Sequence, residues 1–229
     1  MKTRFEIING KCVIPYGVTE IDACEFFDCL ELREIVFPDS LEVIGSQAFG
    51  YCNNLKGIRI PKSVQSIDRG AFRSCSQLDR IEVDEENPYY KSVSNTLLTK
   101  DGKTLLFGCR SSEIPDGVAC IMPLAFWRLG LKSVHIPDSV TTIGHWAFAE
   151  CMNLKSINIP AGVKEIDIAA LYFPLSNLFL SSVNPEECVD LSEALLGKRL
   201  GRIRLHVPAG SEDAYRQHSF FKEFKDVVA

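Results

Sequence analysis

No apolar run in this 229-residue sequence approaches the ~18 residues that a membrane-crossing helix needs. The opening stretch, Met1 to Gly10, carries charge but no apolar core of about 7–15 residues, so it does not read as a signal peptide. An excess of basic charge is missing too. Lys and Arg number 25 against 30 Asp and Glu, a net charge of −5, which argues against a nucleic-acid partner. The four histidines, His135, His145, His206 and His218, have no metal-binding spacing. The sequence contains no phosphate-cradling loop, no dinucleotide fingerprint and no nucleophile elbow. No cofactor or metal is therefore expected, and no catalytic residue is assigned. Cys-x-x-Cys is absent, and nine cysteines cannot all pair within one chain.

What is present is periodic. With 46% hydrophobic and 24% charged residues the composition is globular, and the first test is for internal repeats. Ile44, Ala48, Phe49, Cys52, Leu55, Ile58 and Ile60 recur 23 positions later as Ile67, Ala71, Phe72, Cys75, Leu78, Ile81 and Val83. One period earlier stand Ile21, Phe26, Cys29, Leu32, Ile35 and Phe37, with Glu25 in the Ala place. Ile143, Ala147, Phe148, Cys151, Leu154, Ile157 and Ile159 repeat the series. The block at Ile121, Ala125 and Phe126 has Leu129 in the Cys place and then loses one residue. A decayed sixth copy runs through Val163, Ile166, Ala170, Leu178 and Leu180.

The unit has two halves of different period. From Ile44 through Ala48 and Cys52 to Leu55 the steps are 4, 4 and 3, a helical face. From Ile58 to Ile60 the step is 2, a short strand with one buried side, ended by Pro61. A unit this small cannot bury its apolar face alone, but stacked units can. The pattern I-x-x-x-A-F-x-x-C-x-x-L-x-x-I-x-I-P resembles the BspA-like (Treponema-type) bacterial leucine-rich repeats over about residues 13–180. The expected fold is an α/β, right-handed leucine-rich-repeat solenoid. One continuous parallel sheet would run through 35–37, 58–60, 81–83, 134–136 and 157–159, with short helical segments opposite.

Phe26, Phe49, Phe72, Phe126 and Phe148 are expected to stack as a spine. Cys29, Cys52, Cys75 and Cys151 read as small buried hydrophobes. Helical segments would hold neighbouring cysteines about 10 Å apart, beyond the roughly 4.4–6.8 Å between α-carbons that a disulfide spans, so these should be free thiols.

A single domain covers 1–229: an N-terminal cap hairpin (1–14), repeats (15–84), an inserted β-hairpin (85–117), repeats (118–180) and a C-terminal cap (181–229). Ile67 to Ile121 is 54 positions, 31 beyond one period. Asp101-Gly102 between Leu97-Leu98 and Leu105-Leu106 signals a two-residue hairpin turn, and Asn9-Gly10 signals another. Near the end, Leu205-His206-Val207 reads as a last strand. Ser211 follows as the N-cap of a short helix with Glu212 and Asp213 in its first turn.

Outward positions on the strands carry the binding face. Arg59, Arg80, Glu82 and His135 are its central candidates and Lys56 and Lys132 lie at the margin, with the inserted hairpin as a wall. Against each stands a bland reading, a solvated surface residue. Asp84-Glu85-Glu86-Asn87 lacks the alternation of a calcium loop and reads as a solvated turn. The resemblance implies a non-enzymatic adhesion or interaction module at a bacterial cell surface or secreted, taking protein or glycan through the sheet face. Two alternatives stand beside it. A cytoplasmic scaffold would fit the free thiols, and an enzyme would use an off-phase thiol among Cys109, Cys120 and Cys188.

Overall fold

Most repeats wind into a coil carrying two short strands, one on each side; the computed structural model describes residues 3–229. On the first side β2 (Lys11–Val13) pairs in parallel with β4 (Glu34–Val36), and β6 (Gly57–Ile60) with β8 (Arg80–Val83). Further along, β14 (Ser156–Ile159), β16 (Asn177–Leu180), β17 (Arg204–His206) and β18 (Asp226–Val228) pair in parallel in that order. Register follows the repeat: Cys12 lies opposite Ile35 and Ile58 opposite Ile81. At the start, β1 (Ile7–Ile8) runs antiparallel to β2. Asn9 (φ 51°) and Gly10 (φ 83°) supply the two left-handed residues that the turn between them demands.

The second side was not foreseen. There β3 (Glu20–Ile21), β5 (Val43–Ile44) and β7 (Ser66–Ile67) form a parallel sheet. A six-stranded sheet runs from β15 (Glu165–Ile166) through β13 (Thr142–Ile143) and β12 (Cys120–Ile121) to β11 (Thr104–Gly108), all parallel. It continues antiparallel through β10 (Thr96–Thr99) to β9 (Tyr90–Val93). Ser94 and Asn95, both left-handed (φ 48° and 57°), turn the chain between β9 and β10. Between β10 and β11 only Gly102 is left-handed (φ 77°), so Asp101-Gly102 is not the two-residue turn expected. The Asp101 carboxylate instead accepts from the Lys103 N–H and the Thr99 hydroxyl.

The expected single sheet is overturned. Its segments fall into three hydrogen-bonded sheets, and 134–136 is not a strand. The extra residues between β8 and β12 and the residue lost after Leu129 lie at the break between β8 and β14, whereas the break between β4 and β6 precedes both.

The helical segments are also corrected: among the described residues the one α-helix is α1 (Glu212–Gln217). The 4-4-3 spacing comes from consecutive tight turns. In each, the residues two before and two after the phenylalanine are left-handed, as in Cys24 and Asp28 (φ 59° and 56°) or Gln47 and Tyr51 (φ 54° and 61°). A left-handed residue at every fourth position ends a right-handed helix before it starts. Intervening N–H groups point along the stack instead: Phe26 donates to Ala48 O (2.7 Å) and Asp28 to Gly50 O (2.8 Å), one coil on. The Ser211 hydroxyl does not cap α1; it donates to Pro208 O at 2.6 Å.

Because coils pair like strands, they stack at strand spacing. Phe26, Phe49 and Phe72 lie 5.0 Å ring to ring, extended by Phe5 and Phe107, while Phe126 and Phe148 form a second stack at 5.2 Å. The spine is therefore two stacks. Two core clusters accompany it: one runs from Cys12 to Cys109, the other from Leu98 to Val227. Strand β10 separates them, with Leu97 packed in the first and Leu98 in the second, both buried.

The same spacing removes the ~10 Å premise for free thiols, since strands lie about 4.8 Å apart. All nine cysteines are nonetheless free. Cys52 and Cys151 donate their thiols to Phe26 O (3.0 Å) and Phe126 O (3.1 Å) of the preceding coil. Cys29 is only half-buried, unlike the other three.

Candidate binding face

Strand alternation sends Ile35, Ile58 and Ile81 into the core and their neighbours outward. Cross-strand pairs then set Lys11 beside Glu34, Val13 beside Val36, Gly57 beside Arg80 and Arg59 beside Glu82. Their charges alternate in sign. Lys11 Nζ reaches Glu34 at 2.7 Å, Arg59 reaches Asp84 at 3.4 Å and Arg80 reaches Glu82 at 3.6 Å. The Arg59 and Arg80 side chains remain 71% and 70% exposed, so these pairs contribute little to stability and stay free to exchange partners.

The structure brings Lys56, Arg59, Arg80 and Glu82 together on the wall of one open groove of about 810 Å³, with Arg33 and Glu34. Lys132 and His135 are placed apart from them, in a second depression of about 890 Å³ that also holds Asp79 and Arg110. An ion pair lies in this second depression. Arg110 grips Asp79 with Nε and Nη2, each at 3.2 Å, and holds that carboxyl below the usual carboxylate range. Asp79 is the acidic exception in the row Arg33, Lys56, Lys132, Lys155. Its partner lies off the repeat phase, and no sequence spacing announces it.

A further feature escaped sequence reasoning. Phe179 on β16 is 38% exposed and stacks on His206 of β17 at 4.1 Å. In register across the strands they share an outward row with Asn158 and Val228. The decayed sixth copy hid this apolar spot.

The acidic run before the extra residues is occupied by the protein itself. Asp84 pairs with Arg59 and Glu86 with Lys62, while the fully buried Asn87 amide donates to Pro61 O and Val64 O. For the off-phase thiols, burial pushes Cys120 up and Cys188 up to about 11. A thiol nucleophile requires the opposite shift. Cys109 is buried, and its thiol lies 3.3 Å from the Ser111 hydroxyl.

Stacked coils with parallel sheets and a repeat-phased core define a leucine-rich-repeat solenoid. The sequence matches the BspA type leucine-rich repeat region over residues 8–99 and 107–187 in six copies, and the chain belongs to that family. No curated protein matches the sequence. Among solved structures it is similar to the pneumococcal vaccine antigen PcpA (18% identity, TM-score 0.65, 96% of this chain and 67% of that one). It is also similar to a leucine-rich cell surface protein from Faecalibacterium prausnitzii A2-165 (25%, 0.59, 89% and 61%). A third likeness is to a leucine-rich repeat protein from Eubacterium ventriosum ATCC 27560 (21%, 0.58, 86% and 65%). The chain thus spans between 61% and 67% of the length of these three relatives.

Proposed function

We propose that the chain is a non-enzymatic interaction module of a bacterial surface or secreted protein. It grips a partner protein across the outward face of β4, β6 and β8. The observation that carries this reading is the open groove in which Arg59 and Arg80 stand exposed among Lys56, Glu82 and Asp84. Alternating charges over a broad, shallow surface suit a protein partner and steer its approach, whereas a small ligand is usually enclosed. A glycan partner would be favoured by the apolar Phe179–His206 spot instead. Surface placement is supported by the names of two structural relatives, a vaccine antigen and a cell surface protein. Nine free thiols favour the second reading, a scaffold in a reducing compartment.

The test compares wild type with Arg59→Glu plus Arg80→Glu for binding to a partner protein identified by pull-down, with circular dichroism as the control for folding. The double variant should fold normally and bind weakly, and wild-type binding should fall with added salt. Undiminished binding by the double variant, together with loss on Phe179→Ala, would move the face to the C-terminal half.

A further inference from the structure

The depression that holds Lys132 and His135 exists because one coil falls short. Gly108 takes the phenylalanine place in that coil, as its N–H bond to Ala125 O (2.9 Å) shows. Ile114-Pro115 then stands one coil before Ile136-Pro137, in step with the pairing of Cys120 beside Thr142. Ten positions separate Phe126 from Ile136, but only six separate Gly108 from Ile114. The shortened coil lays no strand on the first side. Residues 110–116 form one wall of an open slot of about 890 Å³, and 130–135 form the other.

The second wall carries unpaired main chain. In the paired strands of the first side, outward residues bond the preceding coil: Glu34 N–H donates to Gly10 O (3.0 Å) and Arg204 N–H to Ser176 O (2.9 Å). Val36 O, likewise outward, accepts the Ile14 N–H at 3.0 Å. Ser133 and His135 hold the outward places in their coil and are exposed, so the same register turns their N–H and C=O groups into the slot. Among the described residues, no backbone hydrogen bond is made by any residue from Gly130 to Ile136. Between them, Val134 is only half-buried, whereas Ile35, Ile58, Ile81 and Ile157 in the same place are 2–6% exposed. An accessible edge offering donors and acceptors at strand spacing is a template for a further strand. What fits it is another main chain, with aliphatic side chains to finish the cover over Val134. The walls also present both signs of charge to such a chain, Lys132 on one and Glu113 and Asp116 on the other.

We propose that an extended segment of a partner protein fills this slot, adding as a strand beside 132–136. Its main chain pairs with Ser133 and His135, and aliphatic residues at alternate positions cover Val134. The slot shares no lining residue with the groove around Arg59 and Arg80, so it stands or falls independently of the proposed binding face.

The test follows the backbone amide resonances of the full chain. The probe is the acetylated and amidated peptide of residues 154–160, which carries Ile157 and Ile159 at alternate positions and forms a strand in this solenoid. The Ser133 and His135 amides should move saturably and exchange with deuterium more slowly, while those of Arg59 and Glu82 stay in place. The same peptide N-methylated at 156–159 lacks the donors of a strand and should bind at least tenfold more weakly. Ser133→Pro removes one donor from the slot and should weaken the unmethylated peptide at least fivefold. Should that variant fail to fold, the methylated peptide tests the same bonds on the unaltered chain. Arg59→Glu plus Arg80→Glu should leave the titration unchanged. No saturable movement, equal binding of the methylated peptide, or full binding by a folded Ser133→Pro variant would overturn the proposal. Movement of the same amides with protein concentration alone, with a dimer in sedimentation, would give the slot to a second copy and overturn the foreign partner.

Discussion

The thiol of Cys75 donates a hydrogen bond to the carbonyl of Phe49, one coil earlier, at 3.1 Å. The same carbonyl also accepts the N–H of Cys52, so one oxygen ties its own coil and the next. Cys75→Ala removes the second tie and leaves a small void. It should cost about 1–3 kcal/mol in urea unfolding. Cys75→Ser keeps a donor of similar reach and should cost less than Cys75→Ala; the reverse order would make the thiol a space-filler only.

Burial pushes the thiols of Cys52 and Cys151 up to about 12, from an ordinary value of 9.0. The folded state therefore holds these protons where the unfolded state releases them. Stability is complete below pH 9 and falls as pH rises from there toward 12. Urea midpoints should decline as pH rises from about 9 toward 12. A Cys52→Ala plus Cys151→Ala variant should show a shallower decline.

Thiol labelling at neutral pH should rank the cysteines by depth. Half-buried Cys24, Cys29 and Cys120 should react before Cys52, Cys75 and Cys151, which are fully buried and should wait for unfolding. Mass spectrometry of the labelled peptides reads the order. Early modification of Cys75 would contradict its place in the core.

Gly108 owes its identity to a neighbour. A β-carbon there would lie 2.2 Å from the Phe126 ring, whose stack begins at that point. Gly108→Ala should destabilise by about 1–3 kcal/mol through overpacking. Phe126→Leu in the same chain should recover part of that loss, a coupling that a double-mutant cycle measures.

Much of this architecture is legible in the chain. Recurrence of Ile44, Phe49, Cys52 and Ile58 at one phase fixes the register, because each strand can pair only where its apolar set stays inside. The second row of strands is not legible: Val43–Ile44 and Ser66–Ile67 are too short to show a period. The false helix has a physical origin, since a run of turns that returns to the core every fourth residue spaces its apolar positions like a helix. What separates the two is the backbone at Gln47 and Tyr51, left-handed in residues that carry no sequence mark of it. For the proposed binding face, alternation on β6 and β8 exposed Arg59 and Arg80 to sequence reasoning. The Asp79–Arg110 pair was hidden because the two residues are 31 positions apart with no repeat connecting them.

In an ordinary solenoid a fraying front can advance from either terminus and halt after any coil, because each coil leans only on its neighbours. Strand β10 denies the front a resting place at the middle. Leu97 and Leu98 are adjacent on one strand and face opposite cores, so losing the coils on one side strips half the support from a strand that the other side still needs. The break that interrupts the repeat pattern is thus the point where the two halves are obliged to stand or fall together.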